Sequence, residues 1–175
     1  MLLQELRLTV LLRLLFAGLL IVGPWPRAQA ADLNTNSTQA ACTFDDGKQM
    51  SVDYSRAPES GKNLPAGKVW APGGQPIVLF TTAPLIVGAW EIPVGAYSMW
   101  VIPEKRAWTL IVNRDVTPGS TYHAQEDLAR VPMQVGELEQ PQQKASIYFG
   151  HSAPKQCNMR IYYGMVGTWV EFQEK

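Results

Sequence analysis

Scarce histidine and cysteine narrow the function of this chain first. Its 175 residues include only two histidines, His123 and His151, and two cysteines, Cys42 and Cys157. Nucleophilic hydrolysis needs a Ser or Cys with a His base and an orienting acid. Neither histidine stands in a motif that supplies those partners, and no Gly-x-Ser-x-Gly elbow occurs. Both histidines read as surface loop residues. No two of Cys42, Cys157, His123 and His151 have the short spacing that zinc sites use, so the sequence offers no metal site, and no cofactor motif is present. Charge is equally thin. Neither sign forms a block of five or more, and the longest cluster, Glu104-Lys105-Arg106, is mixed and reads as a solvated hairpin tip. Nucleic acid and polybasic membrane docking are both disfavoured as partners. No repeat with a period of 20 to 50 residues is visible, which argues against propellers and solenoids.

Long apolar runs are also missing, with one exception at the start. Arg7 and Arg13 precede the apolar stretch Leu14 to Val22, which breaks at Gly23-Pro24-Trp25-Pro26, and Ala28-Gln29-Ala30 then gives the small-x-small pattern of a cleavage site. Residues 1–30 read as a signal peptide cut after Ala30. Spanning a bilayer takes about 20 apolar residues; Arg13 interrupts this run and the prolines end it, so no stable membrane anchor is expected after cleavage. A lipid anchor at Cys42 fails as well, because that cysteine lies far beyond the apolar stretch and Gln39 occupies a position that an aliphatic residue normally fills. The protein is therefore expected to be exported, to the periplasm or beyond. Losing Arg7, Arg13, Arg27 and Glu5 leaves 145 residues with 12 basic and 14 acidic side chains. That length suits one domain.

In the mature chain, residues 31–42 are small and polar and read as a flexible lead. From residue 43 to 175 the hydrophobic period is two, with Gly or Pro punctuation at short intervals, which is the pattern of many short strands. Strands are expected at Lys48–Tyr54, Lys68–Trp70, Ile77–Thr81, Leu85–Trp90, Ala96–Ile102, Trp108–Asn113, Ala129–Met133, Gln134–Leu138, Lys144–Phe149, Asn158–Tyr163 and Thr168–Phe172, the last two forming a hairpin around Gly164–Gly167. A short turn of helix is expected at Ala124–Leu128. The hairpin from Ala96 to Asn113 is apolar on both faces, as in the middle of a sandwich. If Ile102 pairs near Trp108, then Trp100, Ile102, Trp108, Leu110 and Val112 share one face, opposite Tyr97, Met99, Val101 and Ile111. The fold class is all-β, an antiparallel, jelly-roll-like β-sandwich of nine to eleven short strands.

An even cysteine count in an oxidising compartment predicts a Cys42–Cys157 disulfide. Closing more than a hundred residues, it stabilises by about 4 to 5 kcal/mol in the chain-entropy model. Asp45-Asp46-Gly47 lacks the full spacing of a calcium loop and reads as a tight turn with glycine at positive φ.

Several blocks then occur in order: Pro65-Ala66-Gly67-Lys68-Val69-Trp70, Ile92-Pro93-Val94-Gly95-Ala96-Tyr97-Ser98-Met99-Trp100-Val101-Ile102-Pro103, Trp108-Thr109-Leu110-Ile111-Val112-Asn113 and Glu126-Asp127-Leu128-Ala129-Arg130-Val131-Pro132. Together they resemble the bacterial domain-of-unknown-function family 2911, from Thr43 to Phe172. The resemblance implies an exported β-sandwich and supplies no catalytic residue. One departure matters: where the family continues with Arg-Thr-Gly-Ala-Asn-Glu, this chain has Ala71-Pro72-Gly73-Gly74-Gln75, so any site built on that polar run is altered here.

The aromatics carry the remaining functional signal. Trp70, Trp90, Trp100, Trp108 and Trp169 all follow the cleavage site. Trp100 and Trp108, inside apolar strands, are expected in the interior. Trp70, before a Pro-Gly turn, is expected at the surface, where with Lys68 it forms a small binding patch. These features favour a non-enzymatic exported binding module with a glycan or an envelope protein as partner. The alternative is a carboxylate-based hydrolase acting on an envelope or secreted polymer, drawing two acids from Asp45, Asp46, Asp53, Glu91, Asp115, Glu126 and Asp127.

Overall fold

Short runs of alternating side chains cannot bury their apolar face alone, and here nine of them join one antiparallel sheet that folds over on itself. The computed structural model describes residues 36–57 and 64–175; the expected signal peptide, its cleavage after Ala30 and the start of the lead lie outside the described residues. The strands are β1 (Ser37–Thr43), β2 (Gln49–Ser55), β3 (Ile77–Thr81), β4 (Leu85–Val87), β5 (Trp90–Ile92), β6 (Gly95–Ile102), β7 (Trp108–Asn113), β8 (Asp127–Ala153) and β9 (Gln156–Glu174). Their order is β1-β2-β3-β6-β7-β8-β9-β4-β5. Among the described residues the only helical pieces are two 3-10 turns, Pro72–Gly74 and Ala124–Glu126, the second falling where a turn of helix is expected. No helix there is long and apolar enough to cross a membrane.

The long strand β8 makes the corner. Residues 127–133 pair with β7 and residues 134–153 pair with β9, so one strand belongs to both layers, as at the corners of folded sheets. The layers close over a single core that includes Met50, Val52, Leu79, Met99, Val101, Leu110, Val131, Ile147, Ile161 and Phe172. Two ties hold the far ends together. Tyr54 of β2 accepts a hydrogen bond from the Ile147 amide of β8 at 3.1 Å. Cys42 of β1 is disulfide-bonded to Cys157 of β9, with Cα atoms 6.3 Å apart.

Several expectations need correction. The lead reading fails from Ser37 to Cys42, since β1, Ser37–Thr43, pairs with all seven residues of β2; an edge strand needs backbone partners more than apolar side chains, and composition does not report those. Leu85–Trp90 is two strands, because Gly88 at φ +57° turns the chain so that Val87 pairs with Trp90. The stretches expected as separate strands from Ala129 to Phe149 run within β8. Asn158–Tyr163 and Thr168–Phe172 do not pair with each other: both lie along β9, and the reversal sits at Pro154–Lys155 instead. The hairpin register is also one residue off, with Ile102 opposite Thr109 and Val101 opposite Leu110. Tyr97, Met99, Val101, Trp108, Leu110 and Val112 therefore enter the core together, while Trp100 pairs with Ile111 on the other face, since a one-residue slip exchanges faces.

Candidate binding site

The site begins with a fault in the β8–β9 ladder. Glu137 pairs with Val166, Gln142 with Gly164 and Ser146 with Tyr162. Between those pairs β8 spends several residues for each one on β9. The extra chain, rich in Glu and Gln and holding Pro141, cannot lie flat in the sheet and stands out as a wall, as bulged strands do. On β9 the same fault switches the inward phase. Cys157, Met159, Ile161 and Tyr163 point in before it, and Thr168, Val170, Phe172 and Glu174 after it.

On the outer side, the wall and the strands bound a pocket lined by Leu138, Glu139, Gln140, Gln142, Tyr148 and Tyr162. A second pocket, which shares Leu138 and Tyr162 with the first, is lined also by Glu137, Asn158, Arg160 and Trp169; the two adjoining pockets are the β8–β9 groove. Its floor is backbone. Gly136 and Gly167 face each other across the ladder; a Cβ on Gly136 would lie 3.2 Å from the Trp169 ring, and one on Gly167 3.0 Å from the Tyr162 ring. The two missing side chains let both rings lie close to the sheet. The Trp169 indole Nε1–H donates to Gln134 Oε1 at 2.9 Å. Tyr148, 55 % exposed, stands 5.8 Å from Tyr162, ring centre to ring centre. Arg160 Nε donates to Asn158 Oδ1 at 2.9 Å, which orients the guanidinium along the groove. Three aromatic rings and several polar groups thus share one outward surface, the usual composition of a ligand site.

The sequence-derived patch lies elsewhere. Lys68 is exposed in the turn Pro65–Lys68, closed by its amide on the Pro65 carbonyl at 3.0 Å. Trp70 forms a bridge with Val101 and is half-buried rather than at the open surface. Its ring meets Trp108 edge-on at 6.0 Å and Tyr163 at 5.0 Å, so packing on the core fixes it. Trp100, expected inside, is half-buried on the outer face, where Tyr122 meets it edge-on at 5.6 Å. The altered run after Trp70 is a packed turn: Pro72 and Gly73 are buried, and a Cβ on Gly73 would fall 2.1 Å from the Ser55 carbonyl oxygen.

Many of the carboxylates weighed for hydrolysis have structural partners. Asp127 accepts from Tyr122 Oη at 2.6 Å, Arg130 Nε at 2.8 Å and Asn113 Nδ2 at 2.8 Å, which pins the long segment after β7. Asp115 accepts from the Thr117 amide and contacts His123 Nδ1 at 3.0 Å; chiefly the Thr117 hydrogen bonds hold its carboxyl well below the usual range. Asp46 lies in the Asp45–Gly47 turn, with Gly47 at φ +87°, and pairs with Lys48. The hydrogen bonds from the Lys48 ammonium and amide lower its pKa to about 2. Asp53 accepts from Gln39, and Glu91 from Lys175.

The family model described as "Protein of unknown function (DUF2911)" matches residues 35–172, and the chain belongs to that family. No curated protein and no solved structure matches it.

Proposed function

We propose that this protein is an exported, non-enzymatic binding module of the bacterial envelope that holds a glycan in the β8–β9 groove. One observation carries the reading: Tyr148 and Tyr162 line one outward pocket, and Tyr162 and Trp169, with Glu137, Asn158 and Arg160, line a second that shares Leu138 and Tyr162 with the first. A sugar ring has a face of C–H bonds and a rim of hydroxyls. Flat aromatic faces suit the first, since their π clouds are electron-rich, and fixed polar groups suit the second. Export rests on the N-terminal segment and agrees with a disulfide between buried cysteines.

The test is a glycan array with protein beginning at Ala31, followed by Trp169→Ala and Tyr162→Ala on any oligosaccharide retained. Each is expected to weaken binding about tenfold or more, the size of a lost aromatic contact of 1.4 kcal/mol, and Trp70→Ala to leave it unchanged. Retention of no oligosaccharide, or equal binding by the groove variants, overturns the reading. A hydrolase here would draw on none of the seven acids singled out in the sequence but on Glu137 and Glu139, one in each of the adjoining pockets; turnover of a bound oligosaccharide, lost in Glu137→Gln, would favour it. For export, N-terminal sequencing of periplasmic or secreted protein should start at Ala31, and recovery of intact Met1 in the cytosol would exclude it.

A further inference from the structure

Sequence spacing separates Cys42, His151 and Cys157, yet the fold brings them together from three strands. Cys157 lies opposite His151 in the β8–β9 ladder, and Cys42 reaches them from β1 through the disulfide. His151 Nε2 is 3.6 Å from Cys42 Sγ, and the three potential ligand atoms all lie within 4.8 Å of one another. Both cysteines are buried, while the histidine is exposed. His123 is not part of this group; it pairs with Asp115.

We propose that this cluster is a redox-gated site for a thiophilic divalent cation such as zinc. Around tetrahedral zinc, ligand sulfur and nitrogen atoms stand roughly 3.5 to 3.8 Å apart, as bond lengths of about 2.3 Å and 2.0 Å require. The observed sulfur–nitrogen approach is already of that size. The cysteine Cα separation of 6.3 Å leaves the remaining adjustment to side-chain rotation. In the oxidised protein the sulfurs are bonded to each other and offer no thiolate. A dithiol reductant delivers two electrons and two protons, yielding two thiols and its own disulfide. Cation capture then displaces both protons, and the two thiolates balance the 2+ charge while neutral His151 supplies the third ligand. The fourth position faces solvent on the exposed histidine side, so water completes the shell and the ion remains exchangeable. Softness of the donors selects zinc or a similar ion over magnesium or calcium.

The experiment uses the processed chain, oxidised and dithiol-reduced, titrated with zinc under exclusion of oxygen, with cobalt(II) as the spectroscopic probe. Reduced protein is expected to bind one equivalent and to show thiolate-to-cobalt charge transfer, and oxidised protein to bind none. His151→Ala should weaken binding by at least the ~10- to 100-fold that loss of a supporting partner costs, while His123→Ala leaves it unchanged. Because reduction removes a long-range crosslink, thermal melts accompany the titration. Zinc should raise the Tm of reduced wild-type protein and leave that of the reduced His151→Ala variant nearly unmoved. Equal binding by oxidised and reduced protein, full affinity in His151→Ala, or a reduced chain that zinc fails to stabilise would each overturn the proposal.

Discussion

The two long hairpins of this protein, β6–β7 and β8–β9, are both antiparallel and both central in the sheet, yet they put their aromatic residues to opposite use. In β6–β7 five consecutive pairs run from Ser98–Asn113 to Ile102–Thr109 without a break, and Met99, Val101, Leu110 and Val112 are fully buried. In β8–β9 the ladder slips twice between Glu137 and Ser146. There Tyr148, Tyr162 and Trp169 line a groove rather than the core. A regular ladder commits alternate side chains to the interior, because each must fill its share of a close-packed space. A broken one releases backbone from the plane of the sheet, and the step it leaves is a concavity.

Truncation on each side is the strongest way to break that contrast. Leu110→Ala should cost 2 to 5 kcal/mol, as large-to-small changes in a packed core do, whereas Tyr148→Ala on the groove should stay within about 0.5 kcal/mol. Urea unfolding midpoints measure both, and similar losses would show that the groove is part of the core after all. A smaller effect sharpens the role of the glycine floor. In Gly167→Ala the new Cβ meets the Tyr162 ring at 3.0 Å and should lift it. Oligosaccharide binding is expected to fall about tenfold, 1.4 kcal/mol, with the unfolding midpoint little changed. Binding that stays intact while the midpoint drops would assign Gly167 to the fold alone.

The smallest effect concerns acid, and it lies outside both hairpins, at the Asp46 turn and the Asp115 loop. The Asp46 carboxyl is lowered from 3.8 to about 2 by the Lys48 hydrogen bonds, and Asp115 is lowered as well, by those of Thr117. A depressed folded-state pKa contributes stability above the unfolded value and loses it as pH falls through the folded one. Stability should therefore decline from about pH 4 downward, and Asp46→Asn should flatten that decline between about pH 4 and 2 in acid titrations followed by circular dichroism. Lys48, raised from 10.5 to about 12 by the hydrogen bonds of Asp46 and Glu174, works in the opposite range: its contribution is complete below pH 10.5 and fades as pH rises through 12.

Much of the first layer is legible in the sequence. Ile77–Thr81 and Trp108–Asn113 are strands with the bounds that alternation predicts, and two cysteines in an even count pair. Pairing across the sheet was not legible. The β6–β7 strands are apolar on both faces, so their side chains do not say which face turns inward, and the expected register slipped by one. In the groove, Asn158, Arg160 and Tyr162 do fall on the outward phase of an alternating strand, which is a readable sign. Trp169 does not continue that phase, and only the fault between Tyr162 and Val166 returns it to the same side. Lys68 and Trp70 stood out in the sequence because a Pro-Gly turn follows them, yet that turn packs Gly73 onto Ser55 and holds Trp70 to the core.

By itself the sequence determined that this chain is all-β, because the two-residue rhythm of its apolar side chains is local and survives any arrangement of strands. It also determined the family, through blocks of residues in a fixed order. It took the closed sheet to place one strand in both layers, to lay the Trp169 and Tyr162 rings against two glycines, and to bring a histidine beside a pair of distant cysteines. Such meetings depend on which strands become neighbours, and that is set by the closing of the whole sheet over a shared core, which no local pattern encodes.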